Sequence, residues 1–379
     1  MNQAALEAQW VDDASKRIEQ KLAKTSRRIK DSFPFVSVNG KYQNFFGREE
    51  PLCWWTNSFW SGLMWLMYRE TKDEHFRETA ESCENQLDAA LMNYDGLHHD
   101  VGFMWSLTGV ASYKLTGNDK SRRRAMLAAS TLASRFNIKG QYIRAWNGDK
   151  TGWVIVDCLM NLPILYWASE QSKDPRFAFV ARAHADTAIR AVQRPDGSMN
   201  HIVNFDPETG EVVETIGGQG YGVGSSWSRG QAWALYGFAL SHRSTKDVRY
   251  LDAAKRVAHY FISNIYEDWI PAVDFRSPSE PKLKDSTAGA IAAAGLLEIA
   301  DKVPDFEKAL YRNAAVKILQ ALDKECGAWD KDEEGLLLKG SHAYHHTNPD
   351  IPASSPIIYG DYYFAEAVLR LKGRDDLFW

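Results

Sequence analysis

The chain has 379 residues, of which 45% are hydrophobic and 25% charged, which is typical of a globular protein and not of a disordered or coiled-coil chain. Its formal net charge of −4 argues against a nucleic-acid or anionic-membrane partner, because both favour a basic surface. No segment is a candidate membrane span, and the acidic, amphipathic N-terminal segment does not resemble a signal peptide. We therefore expect a cytoplasmic protein.

The four cysteines support the same expectation. They are widely separated and form no Cys-x-x-Cys pair, a pattern that indicates neither a disulfide framework nor a zinc site. We interpret them as buried thiols in a reducing compartment, at Cys53, Cys83, Cys158 and Cys326.

Helical periodicity runs through almost every long segment, while strand-like alternation is scarce, so the predicted class is all-α. One unit recurs five times: a mostly apolar helix, a short polar turn, and an amphipathic helix. The N-terminal amphipathic segment and a last apolar segment supply a sixth pair. The six apolar helices are predicted to begin near Trp55, Asp100, Trp153, Trp227, Ser286 and Gly360.

Apolar helices belong inside and helices with a charged stripe face solvent, so six of each predict a closed double ring. This is an α6/α6 barrel, in which no apolar end helix needs a separate cap. We find no interdomain linker and expect one domain over residues 1–379. Proline and glycine cluster in two longer connections, 194–224 and 339–356, which are predicted to line a ligand cleft.

In such a barrel the inner helices all begin at one end, so residues at their starts converge on one polar and aromatic mouth. Asp157 is expected one turn inside the third inner helix. The other positions expected at the mouth are Trp55, Asn57, His99, Asp100, Trp227, Arg229, Asp285 and Asp361.

Two aspartates are the candidates for acid and base chemistry. Asp157 lies in the apolar run VIVDCLMNLP, where a carboxylate needs a partner or a raised pKa, so it is either a general acid or a structurally bonded side chain. Asp100 precedes a predicted helix and is either an N-cap or a second functional carboxylate. Two carboxyl groups at one mouth favour paired roles, one protonated and one ionised.

Arg229 is placed at a helix start, where the helix dipole disfavours a cation unless an anion compensates. That anion is a bound carboxylate, or else Asp285 or Asp361 in a structural ion pair. The histidines of HHD and HAYHH do not match a metal-site spacing, and neighbouring residues on a helix point apart, so we expect no metal.

The segments WTNSFWSG, HHDVGFMWSL, VIVDCLMNLP, SSWSRGQAWALYGFAL, KDSTAGAIAAAGLLEIA and GDYYFAEAVLRL resemble the unsaturated glucuronyl hydrolases of glycoside hydrolase family 88, in order and over nearly the whole chain. The resemblance implies an α6/α6 barrel that removes the 4,5-unsaturated uronic acid from oligosaccharides produced by polysaccharide lyases. It also implies hydration of the C4=C5 enol ether without a cofactor.

Site residues follow from the same resemblance. Asp157 matches the catalytic aspartate, which protonates C4 and then assists water attack at C5. Asp100 matches the second aspartate, which holds ring hydroxyls and tunes its partner. The implied substrate contacts are Trp55, His99, His201, Gln219, Trp227, Arg229 and Trp233.

One departure concerns sulfate. Relatives that accept sulfated fragments share a Ser-x-x-Ser-x-Lys motif before the last inner helix, where this chain has Ala343, His346 and Asn348. We expect a weaker preference for sulfated substrates, with the 339–356 connection shaping the adjoining sugar site.

Three alternative functions remain at this stage. An inverting hydrolase of saturated glycosides also uses two carboxylates. A helical-repeat binding protein would tolerate replacement of both aspartates. An isomerase with this type of barrel would be expected to place histidines where this chain has Asp100 and Asp157.

Overall fold

The computed structural model describes residues 3–44, 51–265, 267–280, 283–349 and 351–379, and helices dominate it. No helix in these ranges is long and apolar enough to span a membrane. The α-helices are α1 (Gln3–Ile29), α2 (Asn57–Thr71), α3 (Glu74–Gln86), α4 (Asp88–Met92), α5 (Val101–Trp105), α6 (Ala111–Thr116), α7 (Asp119–Ala133), α8 (Pro163–Ser172), α9 (Arg176–Thr187), α10 (Ser228–Thr245), α11 (Val248–Asn264), α12 (Ser286–Ala300), α13 (Asp305–Cys326) and α14 (Ile358–Leu371).

Burial divides these helices as their composition predicts. Every residue of α12 is buried, and α10 and α14 are buried along almost their whole length. By contrast, α11 buries one stripe of residues and exposes the other, as expected for an amphipathic helix at a surface. A π-helical turn, Ser106–Val110, joins α5 to α6 into one interior element.

The interior helices contact one another in chain order. Helix α2 packs on α5, α5 on α8, α8 on α10, α10 on α12 and α12 on α14, and α14 returns to α2. Each has an amphipathic neighbour, because α3 packs on α2, α7 on α5, α9 on α8, α11 on α10, α13 on α12 and α1 on α14. The first helix therefore partners the last, as predicted.

Short strands occur in the connections, which the predicted all-α class did not include. The pair β1 (Pro34–Val38) and β2 (Lys41–Asn44) is antiparallel, as is β3 (Phe136–Asn137) with β4 (Tyr142–Ile143). The third sheet has the order β5-β6-β7, and its strands are β5 (Trp153–Ile155), β6 (Ile202–Phe205) and β7 (Val212–Ile216).

The third sheet corrects one predicted helix. The helix expected to begin near Trp153 starts at Pro163, after strand β5 and a 3₁₀ turn, Val156–Met160. A β-branched run favours the strand, and Ile155 pairs with Ile202. Pro163 then suits the first helical turn because its missing N–H is not needed there. Asp157 therefore lies on the 3₁₀ turn before the helix and not one turn inside it.

Asp361, expected at the mouth, has a structural position instead. It is buried in the first turn of α14, and its carboxylate accepts hydrogen bonds from Tyr42 Oη (2.7 Å), Leu336 N (2.7 Å) and Leu337 N (3.0 Å). These bonds fasten the β1–β2 hairpin and a neighbouring loop to an interior helix.

Helices α10 and α12 approach each other closely at a glycine of α12. A Cβ on Gly295 of α12 would lie 2.4 Å from Leu235 Cδ1 and 2.9 Å from Tyr236 Cα on α10. We expect Gly295→Ala to lower the free energy of unfolding by about 1–3 kcal/mol through overpacking, although alanine is the better helix former. The measurement is urea denaturation followed by circular dichroism.

Gly289→Ala on the same helix is the matched control, because its Cβ would meet nothing closer than Pro271 Cδ at 3.2 Å. It should be clearly less destabilising than Gly295→Ala. Equal effects would show that the approach of α10 to α12 does not depend on Gly295.

Candidate active site

A cavity of about 500 Å³ opens where the interior helices begin. The two long connections contribute to its lining, as predicted, through His201, Gln219 and His342. The structure brings all nine predicted site residues to this one cavity: Trp55, His99, Asp100, Asp157, His201, Gln219, Trp227, Arg229 and Trp233. Their chemical roles stay predictions.

Asp157 is held by its short 3₁₀ turn, and its side chain lines the cavity. Its Oδ1 is buried and has no hydrogen-bond partner among the described residues. Burial raises the pKa of Asp157 to about 7, against smaller opposing contributions from nearby backbone N–H groups and Arg229. A carboxyl group with such a pKa can hold and release a proton near neutral pH.

Asp100 occupies the residue before α5, but its side chain makes no capping hydrogen bond, so the N-cap interpretation is wrong. Instead, Asp100 Oδ1 accepts a hydrogen bond from Asn161 Nδ2 at 3.0 Å. Burial, and then the charge of Asp157, raise the pKa of Asp100 well above its ordinary value. Because two neighbouring buried carboxylates repel each other, the pair retains a proton at neutral pH.

The positions of the two histidines beside Asp100 differ from those assumed when no metal was expected. His98 and His99 precede α5 in a turn and do not lie on a helix, so they do not point apart. The potential ligand atoms of His98, His99 and Asp100 lie within 4.8 Å of one another. The geometric argument against a metal is therefore wrong, and the metal-free site stays a prediction.

His99 is fully buried, and neither of its ring nitrogens has a hydrogen-bond partner among the described residues. Burial lowers its pKa well below the ordinary value, with smaller contributions from neighbouring cations. The ring is therefore neutral at physiological pH. It offers one donor and one acceptor to a ligand in the cavity.

Arg229 forms a buried ion pair with Asp285. This is one of the two structural ion pairs that the sequence suggested for Arg229. Its Nη1 lies 3.3 Å from Asp285 Oδ2 and also donates to Ser341 O, while Nη2 donates to His342 O at 2.7 Å. Arg229 therefore clamps the 339–356 connection to α10 and α12. The guanidinium also lies over the ring of Trp227, 4.5 Å from its centroid, and still lines the cavity.

Aromatic rings form the walls of the cavity. Trp55 stacks on Tyr359 with centroids 5.1 Å apart and contacts Trp233 edge-on at 6.4 Å. His201 packs on Trp227 at 4.3 Å, and burial lowers the pKa of His201 to about 4, so this ring is also neutral. Flat apolar walls of this kind suit the faces of sugar rings.

Gln219 joins the two long connections at the rim. Its backbone N–H donates to His201 Nδ1 at 3.0 Å, and its Nε2 donates to His342 O at 2.8 Å. The backbone N–H of Tyr344 donates in turn to Gln219 O at 2.8 Å. These bonds give the predicted contact residue a structural function at the cavity edge.

Several lining residues were not predicted as site residues: Trp54, His98, Trp146, Ile155, Ile202, Gly218 and His342. Trp146 lies in an irregular connection, where periodicity offers no signal. Asn161, which bonds Asp100, was also missed. Its spacing of four residues after Asp157, in an otherwise apolar run, is the signal that could have identified it.

The chain is similar to known glycoside hydrolases. The profile of Glycosyl Hydrolase Family 88 matches residues 25–363. The chain is 38% identical over 370 residues to an unsaturated glucuronyl hydrolase of Bacillus sp. (strain GL1), covering 94% of this chain and 96% of that protein. It is 35% identical over 360 residues to an unsaturated chondroitin disaccharide hydrolase of Streptococcus pyogenes serotype M1, covering 93% and 88%.

A solved structure of a mutant unsaturated glucuronyl hydrolase, described with dGlcA-Glc-Rha-Glc, superposes with a TM-score of 0.88 at 36% identity and 97% coverage of both chains. These similarities confirm the resemblance drawn from the sequence. The chain is a glycoside hydrolase and belongs to glycosyl hydrolase family 88.

The contacts of Arg229 with Asp285 and with the 339–356 connection should stabilise the fold. Arg229→Lys keeps the charge but loses the fork that reaches Asp285 and the two loop carbonyls, so the free energy of unfolding should fall by about 1–3 kcal/mol. Arg312→Lys is the control, because Arg312 pairs with Glu7 at a partly exposed site. That change should stay within about 0.5 kcal/mol. Equal losses in chemical denaturation would contradict the clamp.

Proposed function

We propose that this enzyme hydrates the C4=C5 double bond of a 4,5-unsaturated uronic acid at the non-reducing end of oligosaccharides produced by polysaccharide lyases. The observation that carries the proposal is the pair of buried carboxyl groups, Asp100 and Asp157, in one aromatic-walled cavity. Membership of family 88, and relatives named for unsaturated glucuronyl and chondroitin disaccharide substrates, support it.

We also propose an α6/α6 barrel for the fold and the cytoplasm for the location of the enzyme. Contacts that run from α2 through each interior helix and back support an α6/α6 barrel, formed as one domain over residues 1–379. Four buried free thiols support residence in a reducing compartment, in keeping with the cytoplasm.

In the first step, protonated Asp157 transfers its proton to C4 of the enol ether, and the electron pair of the double bond forms the new C4–H bond. Positive charge develops at C5 and the ring oxygen. Asp157, now a carboxylate, accepts a proton from water as the water oxygen bonds to C5. The C5 hemiketal opens by breaking the bond from C5 to the ring oxygen, which leaves a ketone at C5 and a hemiacetal at C1. Breakdown of that hemiacetal breaks the bond from C1 to the glycosidic oxygen and releases the shortened sugar, leaving a 4-deoxy-5-keto uronic acid with an aldehyde at C1.

The surrounding residues hold the sugar ring for this step. Asp100 and neutral His99 are placed to bond ring hydroxyls beside Asp157, and the rings of Trp55 and Trp233 form an apolar wall. Arg229 lines the cavity and is the residue proposed to bind the carboxylate of the uronic acid. Its charge also opposes the rise in the pKa of Asp157.

The test uses unsaturated disaccharides and follows loss of the ultraviolet absorbance of their conjugated double bond. The wild-type enzyme should remove this absorbance, whereas the matching saturated disaccharides should remain intact. Cleavage of the saturated compounds would instead favour direct displacement at the anomeric carbon.

Asp157→Asn should abolish turnover, since the amide keeps the shape of the side chain but cannot donate and recover a proton. Circular dichroism and thermal unfolding check that the variant remains folded. Substantial residual activity in a pure, folded sample would refute the assignment of Asp157.

Asp100→Asn should reduce kcat strongly and displace the pH profile. Burial is the main cause of the raised pKa of Asp157. The two carboxyl groups interact, since the charge of Asp157 raises the pKa of Asp100, and an ionised Asp100 raises the pKa of Asp157 by the same repulsion. Removing that charge makes Asp157 lose its proton at lower pH, so the alkaline limb of kcat/KM should move toward acid. An unchanged limb would count against coupling between the two carboxyl groups.

Substrate choice depends on the 339–356 connection. Ala343 is buried, His346 is exposed, and partial burial, followed by the charge of His345, lowers the pKa of His346. The imidazole is therefore uncharged at neutral pH. Positions 343 and 346 thus supply no cation that would compensate a sulfate there.

We expect higher kcat/KM for an unsulfated unsaturated disaccharide than for its 6-sulfated counterpart at pH 7. The difference should be about tenfold or more, because a lost charge-assisted hydrogen bond costs on the order of 1.5–3 kcal/mol. His346→Ala is the control and should leave the ratio unchanged at this pH. Equal or faster turnover of the sulfated substrate would show that another basic residue binds the sulfate.

A further inference from the structure

The amide of Asn161 connects the two carboxyl-bearing segments. Asn161 is fully buried, follows Asp157 by four residues, and donates from Nδ2 to Asp100 Oδ1 at 3.0 Å. Its Oδ1 accepts the backbone N–H of Phe103 at 2.7 Å. One side chain therefore joins the turn that bears Asp157 to the start of α5.

The bond to Phe103 fixes which way the amide faces. A backbone N–H can only donate, so the amide oxygen must face Phe103 and the NH₂ group must face Asp100. An NH₂ group can only donate, so the Asp100 oxygen that it meets must accept. Asn161 therefore favours a carboxylate at Asp100 and disfavours a proton on that oxygen.

Packing holds this arrangement in place. A Cβ on Gly102 would lie 2.5 Å from Cα, Cβ and Oδ1 of Asn161, so glycine is required at this position for the close approach. The backbone N–H of Asn161 also bonds Cys158 O at 2.9 Å within the turn. Turning the amide over would set its NH₂ group against the N–H of Phe103, donor against donor.

We propose that Asn161 is a positioning residue that keeps Asp100 in the carboxylate form, so that the proton shared by the pair resides on Asp157. This inference rests on the proposed function, because it explains why Asp157 and not Asp100 is the proton donor. Burial raises the pKa of both carboxyl groups, and the charge of Asp157 raises that of Asp100 further. The hydrogen bond from Asn161 opposes this rise at Asp100 and thereby directs the shared proton to Asp157.

Other charged and titratable groups face the pair from every side. They are His98 and His99 on the Asp100 segment, Cys158 next to Asp157, Arg135 from the end of α7, Arg229 from α10, and His201 from β6. Arg135 also favours the carboxylate of Asp100, whereas Arg229 favours that of Asp157. These two charges oppose each other, and the hydrogen bond of Asn161 acts on Asp100 alone.

The first test is Asn161→Asp, which preserves shape and the acceptor for Phe103 but replaces the donor to Asp100 by a carboxylate oxygen, so that Asp100 loses its hydrogen bond and gains a neighbouring negative charge. We expect kcat to fall about 10- to 100-fold with KM changed less than about threefold, as for loss of a charge-assisted hydrogen bond. The acidic limb of the pH profile should move up by about 1–2 units, because Asp100 then takes up a proton more readily.

Asn57→Asp is the matched control. Asn57 is also buried, and its Nδ2 donates to the backbone oxygens of Pro51 (2.8 Å) and Leu52 (3.2 Å). This variant should lose thermal stability without moving the acidic limb. If Asn161→Asp is folded and its pH profile matches that of the wild type, or if both variants move the limb equally, the proposal is overturned.

A second measurement uses the wild-type protein and does not require a folded Asn161 variant. The carboxyl carbons of ¹³C-labelled aspartates are titrated by NMR and assigned with Asp100→Asn and Asp157→Asn. At neutral pH we expect an ionised Asp100 and a protonated Asp157, and the reverse would overturn the proposal. Wild-type turnover of an unsaturated disaccharide is measured separately, so failure of the proposed function is distinguished from failure of this inference.

Discussion

The proposed chemistry depends on two carboxyl groups, Asp100 and Asp157, that line one cavity. A single buried carboxylate is costly and two adjacent ones are more so, which is why burial raises the pKa of both Asp100 and Asp157. The pair consequently carries a proton at a pH where an exposed aspartate would have none. That proton is the reagent that the proposed hydration needs.

The scaffold positions the pair by bringing segments that are distant in sequence to one end of the interior helices. Asp100 precedes α5, Asp157 lies on the turn before α8, and Arg229 is in the first turn of α10. Close packing keeps them in register, since Gly102 admits Asn161 between the first two segments. Arg229 links α10, α12 and the last long connection, so the rim and the floor of the cavity depend on the same buried contacts.

Periodicity predicted the long helices well because apolar helices such as α12 are buried all round and amphipathic ones such as α11 are not. It did not predict β5 or the 3₁₀ turn at Asp157, since a short apolar run fits a strand and a helix equally well. The nine predicted site residues meet at one cavity, and most came from a family resemblance. Trp146 was missed because it lies in an irregular connection that carries no periodic signal, and Asn161 was missed because its importance arises from its tertiary contact with Asp100.

Proton delivery to C4 is the first chemical step of the proposed mechanism. Turnover in deuterated solvent tests it most directly. An unsaturated disaccharide is incubated with the wild-type enzyme in D₂O, and the released uronic acid is examined at once by proton NMR. We expect one deuteron at C4, delivered to a single face, because Asp157 exchanges its proton with solvent before each turnover. Release of the uronic acid with its double bond intact and no deuterium at C4 would contradict hydration and would mean direct displacement at the anomeric carbon.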